Sequence, residues 1–197
     1  VRLVSFDKKT RSFETIPGRV FLDTCVVNMM LDYGEQIHDG VPIPDGLPER
    51  VREDIDALSG IFDTGRRAFW QLAISPHTYC EVTATNDARR ASQLEGWFVE
   101  VWDYWRQFLR ESQELPCFCE AEEMRVQVLS SGILEVLPDM TDRVLLCDAV
   151  VYQCDAFCTR DWSTILKFRD GLKDLPVTIF TPAEWWGVIR PWASIWL

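Results

Sequence analysis

Arg19-Val20-Phe21-Leu22-Asp23 is a short apolar run that ends abruptly on an acid. Unbroken apolar character over so few residues suits a strand buried on both faces, the habit of parallel sheets. Apolar residues at Val26, Val27, Met30 and Leu31 follow at helical spacing, so a helix is expected directly after Asp23. The same succession recurs down the chain. Leu72-Ala73-Ile74 precedes Ser75-Pro76, a cap followed by proline at the first helical position, and the helix so started carries Glu81 in its second turn. Ile133-Leu134-Glu135-Val136-Leu137 reads as a third strand broken by Pro138, with Asp139 or Asp142 capping a helix that runs to about Gln153. Ala156-Phe157-Cys158-Thr159 is the expected fourth strand, and Val177-Thr178-Ile179-Phe180 the fifth, stopped at Pro182. Strands alternating with helices predict an α/β fold: a three-layer α/β/α sandwich with a central parallel sheet of about five strands.

The other segments arrange themselves around that sheet. Residues 2–6 and 11–16 alternate about the polar turn Asp7-Lys8-Lys9-Thr10, which predicts an N-terminal β-hairpin or arm over residues 1–18, ahead of a main domain at 19–197. Residues 32–47 are rich in Gly, Pro and Asp and read as a long loop. Pro48 then opens an amphipathic helix through Val51, Ile55, Leu58 and Phe62, stopped near Gly65. A further helical pattern, from about Asp87 to Arg110, gathers Leu94, Trp97, Phe98, Trp102 and Trp105 on one broad face. Such a stripe reads as core or partner-facing surface rather than as a base-stacking platform, so a homodimer or other protein interface is expected there.

Composition bounds the function. A chain of 197 residues can bury one sizeable core, and no run of eighteen apolar residues marks a membrane span. No basic segment leading into an apolar stretch opens the chain, so no secretory leader is expected. The seven cysteines are odd in number and lie mostly in apolar segments, which predicts buried thiols in a reducing cytoplasm rather than a disulfide framework. A net charge of −11 repels polyanions at long range, which argues against non-specific coating of DNA but permits a nuclease whose metal supplies local positive charge, and also suits a basic protein partner. Residues 1–19 run against the average, with Arg2, Lys8, Lys9, Arg11 and Arg19 against Asp7 and Glu14.

The acids fall at matching places. Asp23 ends the first strand, Glu81 lies in the helix after the second, Asp142 starts the helix after the third, and Asp161 follows the fourth. In an open parallel sheet the carboxyl ends of the strands share one edge, and ligands bind in the crevice there. Any one of these acids alone would read as a cap or a strand end; four together make a cluster that repels itself unless neutralised. Oxygen ligands at that density suit Mg²⁺ or Mn²⁺, and the lack of a neighbouring histidine argues against zinc. Arg160, Arg143 and Lys167 are candidate contacts for a phosphate backbone.

The same residues resemble a known family. Val20-Phe21-Leu22-Asp23-Thr24 is similar to the opening strand of PIN domains, and Ile74 through Glu81 to their second strand and acidic helix. Leu137-Pro138-Asp139-Met140-Thr141-Asp142-Arg143, continuing through Ala149 to Cys154-Asp155-Ala156-Phe157-Cys158-Thr159-Arg160-Asp161, resembles the family's acidic helix start followed by a strand and Thr-x-Asp. Val177 through Trp185 looks like its closing strand. The resemblance implies a metal-dependent endoribonuclease acting on RNA, in bacteria often the toxin paired with an antitoxin, with Asp23, Glu81, Asp142 and Asp161 at the metal-binding and catalytic positions and Thr159 in support. Cys25 departs from the small polar residue usual two places after the first acid, and residues 32–65 look inserted.

Two rivals stand beside that reading. One is a catalytically silent PIN-like interaction module, disfavoured by the intact acidic set. The other is a phosphatase of the haloacid dehalogenase type, which needs a second Asp where this chain has Cys25. Neither GxxxxGK[ST] nor GxGxxG occurs, so nucleotide hydrolysis and dinucleotide binding have no support.

Overall fold

The structure, a computed structural model, describes residues 16–68, 70–83 and 118–195, together with Gly96, Val99 and Pro116. The expected N-terminal hairpin and the aromatic helix at about 87–110 lie outside the described residues, apart from Ile16, Pro17, Gly18, Gly96 and Val99.

Strand β1 (Arg19–Leu22) leads through Asp23 into helix α1 (Thr24–Asp32). A short α2 (Gly34–His38) and the long α3 (Glu49–Ala68) follow, then β2 (Gln71–Ala73) and α4 (Pro76–Thr83). Next among the described residues come α5 (Phe118–Ser130), α6 (Met140–Val151), β3 (Ala156–Cys158), α7 (Ile165–Phe168), β4 (Thr178–Phe180) and α8 (Pro182–Ile189). The four strands form one parallel sheet in the order β2-β1-β3-β4, with Phe21 opposite both Ala73 and Phe157, and Cys158 opposite Leu22 and Phe180.

Successive residues of a strand point to opposite faces, and β1 shows the consequence. Phe21 faces one core with Phe157, Ile179, Leu146 and Leu134, its ring stacked on Phe157 at 5.4 Å. Val20 and Leu22 face a second core with Val27, Met30, Ile37, Ile55, Leu58 and Trp185. Helices therefore cover both faces, α5 and α6 on one side, α1, α2, α3 and α8 on the other. A central strand buried on both sides must be apolar at every position, which is why Val20-Phe21-Leu22 carries no polar residue.

Two expectations need correction. Residues 133–137 are not a strand but a run of turns, so the sheet has four strands among the described residues rather than about five. Leu134 and Leu137 are the buried members while Val136 is exposed, and a three-residue period is that of a helical turn. The Leu137 amide closes onto the Leu134 carbonyl at 3.1 Å. Arg143 takes the outward carbonyls of Leu137 (2.7 Å) and Glu135 (3.2 Å) that a strand would have offered to a neighbour. The loop expected at 32–47 contains α2, whose Ile37 is buried in the second core.

Helix α3 lies inside the segment that looked inserted, yet it supplies Ile55, Leu58 and Ile61 to that core and packs on α8. The close approach is at Gly60: a Cβ there would meet the Trp186 indole at 2.6 to 2.9 Å. Gly60→Ala should therefore lower stability by roughly 1–2 kcal/mol, because overpacking against a ring outweighs the gain in helix propensity. An unchanged or raised denaturation midpoint would show that Trp186 swings away at no cost.

Candidate functional site

Parallel pairing brings the ends of β1 and β3 together, and backbone hydrogen bonds fix the junction: Asp23 N–H donates to the Cys158 carbonyl at 3.0 Å and Thr159 N–H to the Phe180 carbonyl at 2.9 Å. Asp23 stands at the N-cap position of α1, yet its side chain makes no cap hydrogen bond. The carboxylate instead turns sideways into the sheet edge. There the Thr159 hydroxyl donates to Oδ2, and Cys25 Sγ donates to the same oxygen at 3.0 Å. Thr159 Oγ1 also accepts the Asp161 N–H at 2.9 Å, so one hydroxyl joins the first acid to the backbone of the last.

Glu81 comes from α4, whose start is fixed by a reciprocal pair of long hydrogen bonds between Ser75 and Thr78. Its Oε2 accepts from the hydroxyl of Thr24, next to Asp23. Asp142 lies in the first turn of α6, and the capping choice left open by the sequence is settled: Asp139 Oδ1 accepts the Thr141 N–H at 2.8 Å. Asp142 is thereby released from capping, and Thr164 donates to its Oδ2 at 2.7 Å. The same Thr164 hydroxyl contacts Asp161 Oδ2, while Asp161 Oδ1 gathers Ser163 N–H (2.9 Å), Ser163 Oγ (2.6 Å) and Thr164 N–H (3.1 Å).

The electrostatics follow from burial and like charge. Asp23 is almost fully buried, and desolvation pushes its carboxyl up to about 6; the hydrogen bonds from Cys25 and Thr159 oppose this, while Asp142 and Glu81 add to it. Asp142 is raised as well, by desolvation first and then by Asp161, Asp139 and Glu81, against the opposing bond from Thr164. Asp161 goes the other way. Desolvation raises it, but the Ser163 hydroxyl and the amides of Thr164, Ser163 and Ile165 outweigh that and hold it below the usual carboxylate range. No Lys or Arg among the described residues forms an ion pair with any of the four acids.

The four acids of the sequence reading are thus gathered at one sheet edge and act on one another, in two halves: Asp23 with Glu81 near Thr24, and Asp142 with Asp161 across Thr164. As they stand, no three Asp, Glu, His or Cys side chains among the described residues form a group that could hold a metal ion. The donors are carboxylate oxygens, the type a hard divalent ion takes, and hydroxyls of Thr24, Thr159 and Thr164 bond them as they stand.

Two of the three candidate cations are engaged elsewhere. Arg160 does not face this edge; its Nε bonds Asp54 Oδ2 of α3 at 2.8 Å, and Asp54 is buried. Arg143 is committed to backbone carbonyls. Lys167 is exposed, its ammonium 5.2 Å from the Phe168 ring centroid. His77 is one turn from Glu81, but its Nδ1 lies 3.2 Å from Asp148, away from the acids. The expectation of buried thiols holds for Cys147, Cys154 and Cys158; Cys80 and Cys119 are exposed. Thr24 and Thr164 were missed by sequence reasoning, although each stands within three residues of a site acid.

No helix among the described residues is long and apolar enough to cross a membrane. Comparison of the chain with protein-family models, with curated proteins and with solved structures finds no match.

Proposed function

We propose that this chain is a PIN-like, divalent-metal-dependent endoribonuclease that hydrolyses RNA phosphodiester bonds. The observation that carries the reading is the meeting of four carboxylates from four separate segments at the carboxyl edge of a parallel sheet, with no described cation paired to any of them. In this reading Asp23, Glu81, Asp142 and Asp161 hold Mg²⁺ or Mn²⁺. A bound ion of that kind offsets charge on a phosphoryl oxygen and lowers the pKa of a coordinated water, so no histidine base is required. Burial keeps Asp23 away from bulk water, and Thr159 holds it in one orientation by donating to Oδ2. Thr164 spans Asp142 and Asp161, keeping the other half of the site together before a cation arrives. A basic protein partner such as an antitoxin would find complementary charge on this acidic chain.

A second reading, an interaction module of the same fold without activity, draws on the lack of any ready three-ligand metal group among the described residues and on the local donors that already fill Asp161. Two measurements separate them. Incubated with a mixed RNA pool, the protein should cut in Mn²⁺ or Mg²⁺ and stop in EDTA. Millimolar metal should also raise the melting temperature, because a cation binds the gathered acids only in the folded state. No cleavage together with an unmoved melting curve would leave the module reading in place.

A further inference from the structure

Trp162 follows Asp161 directly, and 49% of it is exposed, at odds with the burial usual for an indole. The Arg50 guanidinium lies over its ring, 4.6 Å from the centroid. Arg50 belongs to the first turn of α3, and one turn later Asp54 takes the Arg160 side chain. Two contacts thus bind the start of α3 to the segment Thr159–Trp162: an ion pair that uses up Arg160, and a cation lying on an aromatic ring that still faces water. Arg50 and Trp162 are both solvent-exposed, and both are tied to the segment that carries Asp161.

We propose that Trp162 and Arg50 form a subsite for single-stranded RNA, the indole stacking one nucleobase and the guanidinium meeting an adjacent phosphate. This rests on the ribonuclease reading and deepens it. A rim of four acids on a chain of net charge −11 repels a polyanion, so a substrate strand needs a cation and a sequence-tolerant contact close to the reacting phosphate. Arg160 and Arg143 cannot serve, being engaged with Asp54 and with backbone carbonyls. The indole offers a π-face that any base can stack on, and the forked guanidinium suits phosphate oxygens. A duplex is excluded as the occupant because its base faces are already stacked within the helix.

The test uses the full-length Asp23→Asn protein in Mg²⁺, so that the strand is held without being cut, and a fluorescein-labelled single-stranded oligoribonucleotide read by anisotropy. Trp162→Ala should weaken binding about tenfold or more, and Trp162→Phe should restore most of it. Arg50→Ala should weaken binding and make it less sensitive to salt, by about one phosphate contact. A purely structural contact would lower the melting temperature of both alanine variants without a salt-slope change, and that result overturns the subsite. So does equal binding by the Asp23→Asn parent and both alanine variants, which leaves the ribonuclease reading untouched. Failure of the parent to bind any single strand overturns the subsite; metal-dependent cleavage by the unaltered protein would then leave the ribonuclease reading standing, and absence of cleavage would remove that reading as well.

Discussion

Asp23→Asn and Asp161→Asn should each cut metal-dependent RNA cleavage by on the order of a hundred- to a thousandfold, the scale at which loss of one preorganised electrostatic contact is felt. Their effects on the metal-free fold should have opposite signs. Asp23 is buried with its carboxyl raised from 3.8 to about 6, so ionising it costs more in the folded chain than in the unfolded one. Below about pH 3.8 both states are protonated and the term vanishes. Between there and about pH 6 the parent loses stability as pH rises, and above pH 6 the whole penalty is present, at most roughly 3 kcal/mol. Asparagine never ionises, and its Oδ1 can accept from both Cys25 and Thr159 as Oδ2 does now. Asp23→Asn should therefore melt higher than the parent at neutral pH without metal, with the gap closing as pH falls from 6 towards 4.

Asp161 is the contrasting case. Its carboxyl is held low by Ser163 and Thr164 donors, so its ionised form stabilises the fold above the ordinary aspartate range and that contribution fades on acidification. Asp161→Asn should melt slightly lower than the parent at neutral pH. Melting curves over pH 4 to 8 with EDTA, paired with cleavage rates in Mn²⁺, decide both points. Wild-type cleavage by both variants would remove the ribonuclease proposal. A Asp23→Asn protein that melts lower at pH 7 would mean that the carboxylate serves the fold rather than burdening it.

What the sequence disclosed, and what it hid, divides along one line. The two central strands, Val20-Phe21-Leu22 and Ala156-Phe157-Cys158, were visible as apolar runs because a strand buried on both faces has no freedom to be anything else, and the edge strands β2 and β4 showed as shorter apolar stretches beside Gln71 and the exposed Thr178. Asp23 and Asp161 were visible because they follow those runs, whereas Asp142 was found beside the run at 133–137, which is not a strand. Residues 133–137 misled for the same reason: an apolar run reads alike whether it is extended or coiled, and Gly132, with φ of 79° just past the end of α5, was the local sign that the chain was turning. Partners across the fold left no trace. Nothing near Arg160 announces Asp54, 106 residues earlier, and an arginine beside a catalytic-looking acid invites a phosphate that a distant carboxylate has already replaced. The release of Asp142 by Asp139 was half visible, since either aspartate suits an N-cap and only the geometry chooses.

The largest stability loss should come from a residue outside the site. Asp148, on α6, is fully buried, with Oδ1 bonded by Arg125 Nε (2.7 Å) from α5 and Oδ2 facing His77 Nδ1 (3.2 Å) from α4. The Arg125 side chain, also nearly buried, reaches Glu122 and hydrogen-bonds Tyr152. Removing one partner of a buried pair leaves the other charged and desolvated, which costs about 3–5 kcal/mol, whereas replacing both by apolar groups of similar volume is often close to neutral. Asp148→Ala should thus lose roughly that amount, and Arg125→Met nearly as much, while Asp148→Leu with Arg125→Met should recover most of it. A double-mutant cycle by chemical denaturation measures the coupling directly. Because Asp148 lies six residues beyond Asp142, its side chain leaves α6 on a different face, so Asp148→Asn should still cut RNA at temperatures where it stays folded. Additive single losses, with no recovery in the double variant, would show that Asp148 and Arg125 act separately; lost cleavage in a folded Asp148→Asn protein would tie this buried pair to the chemistry at the sheet edge.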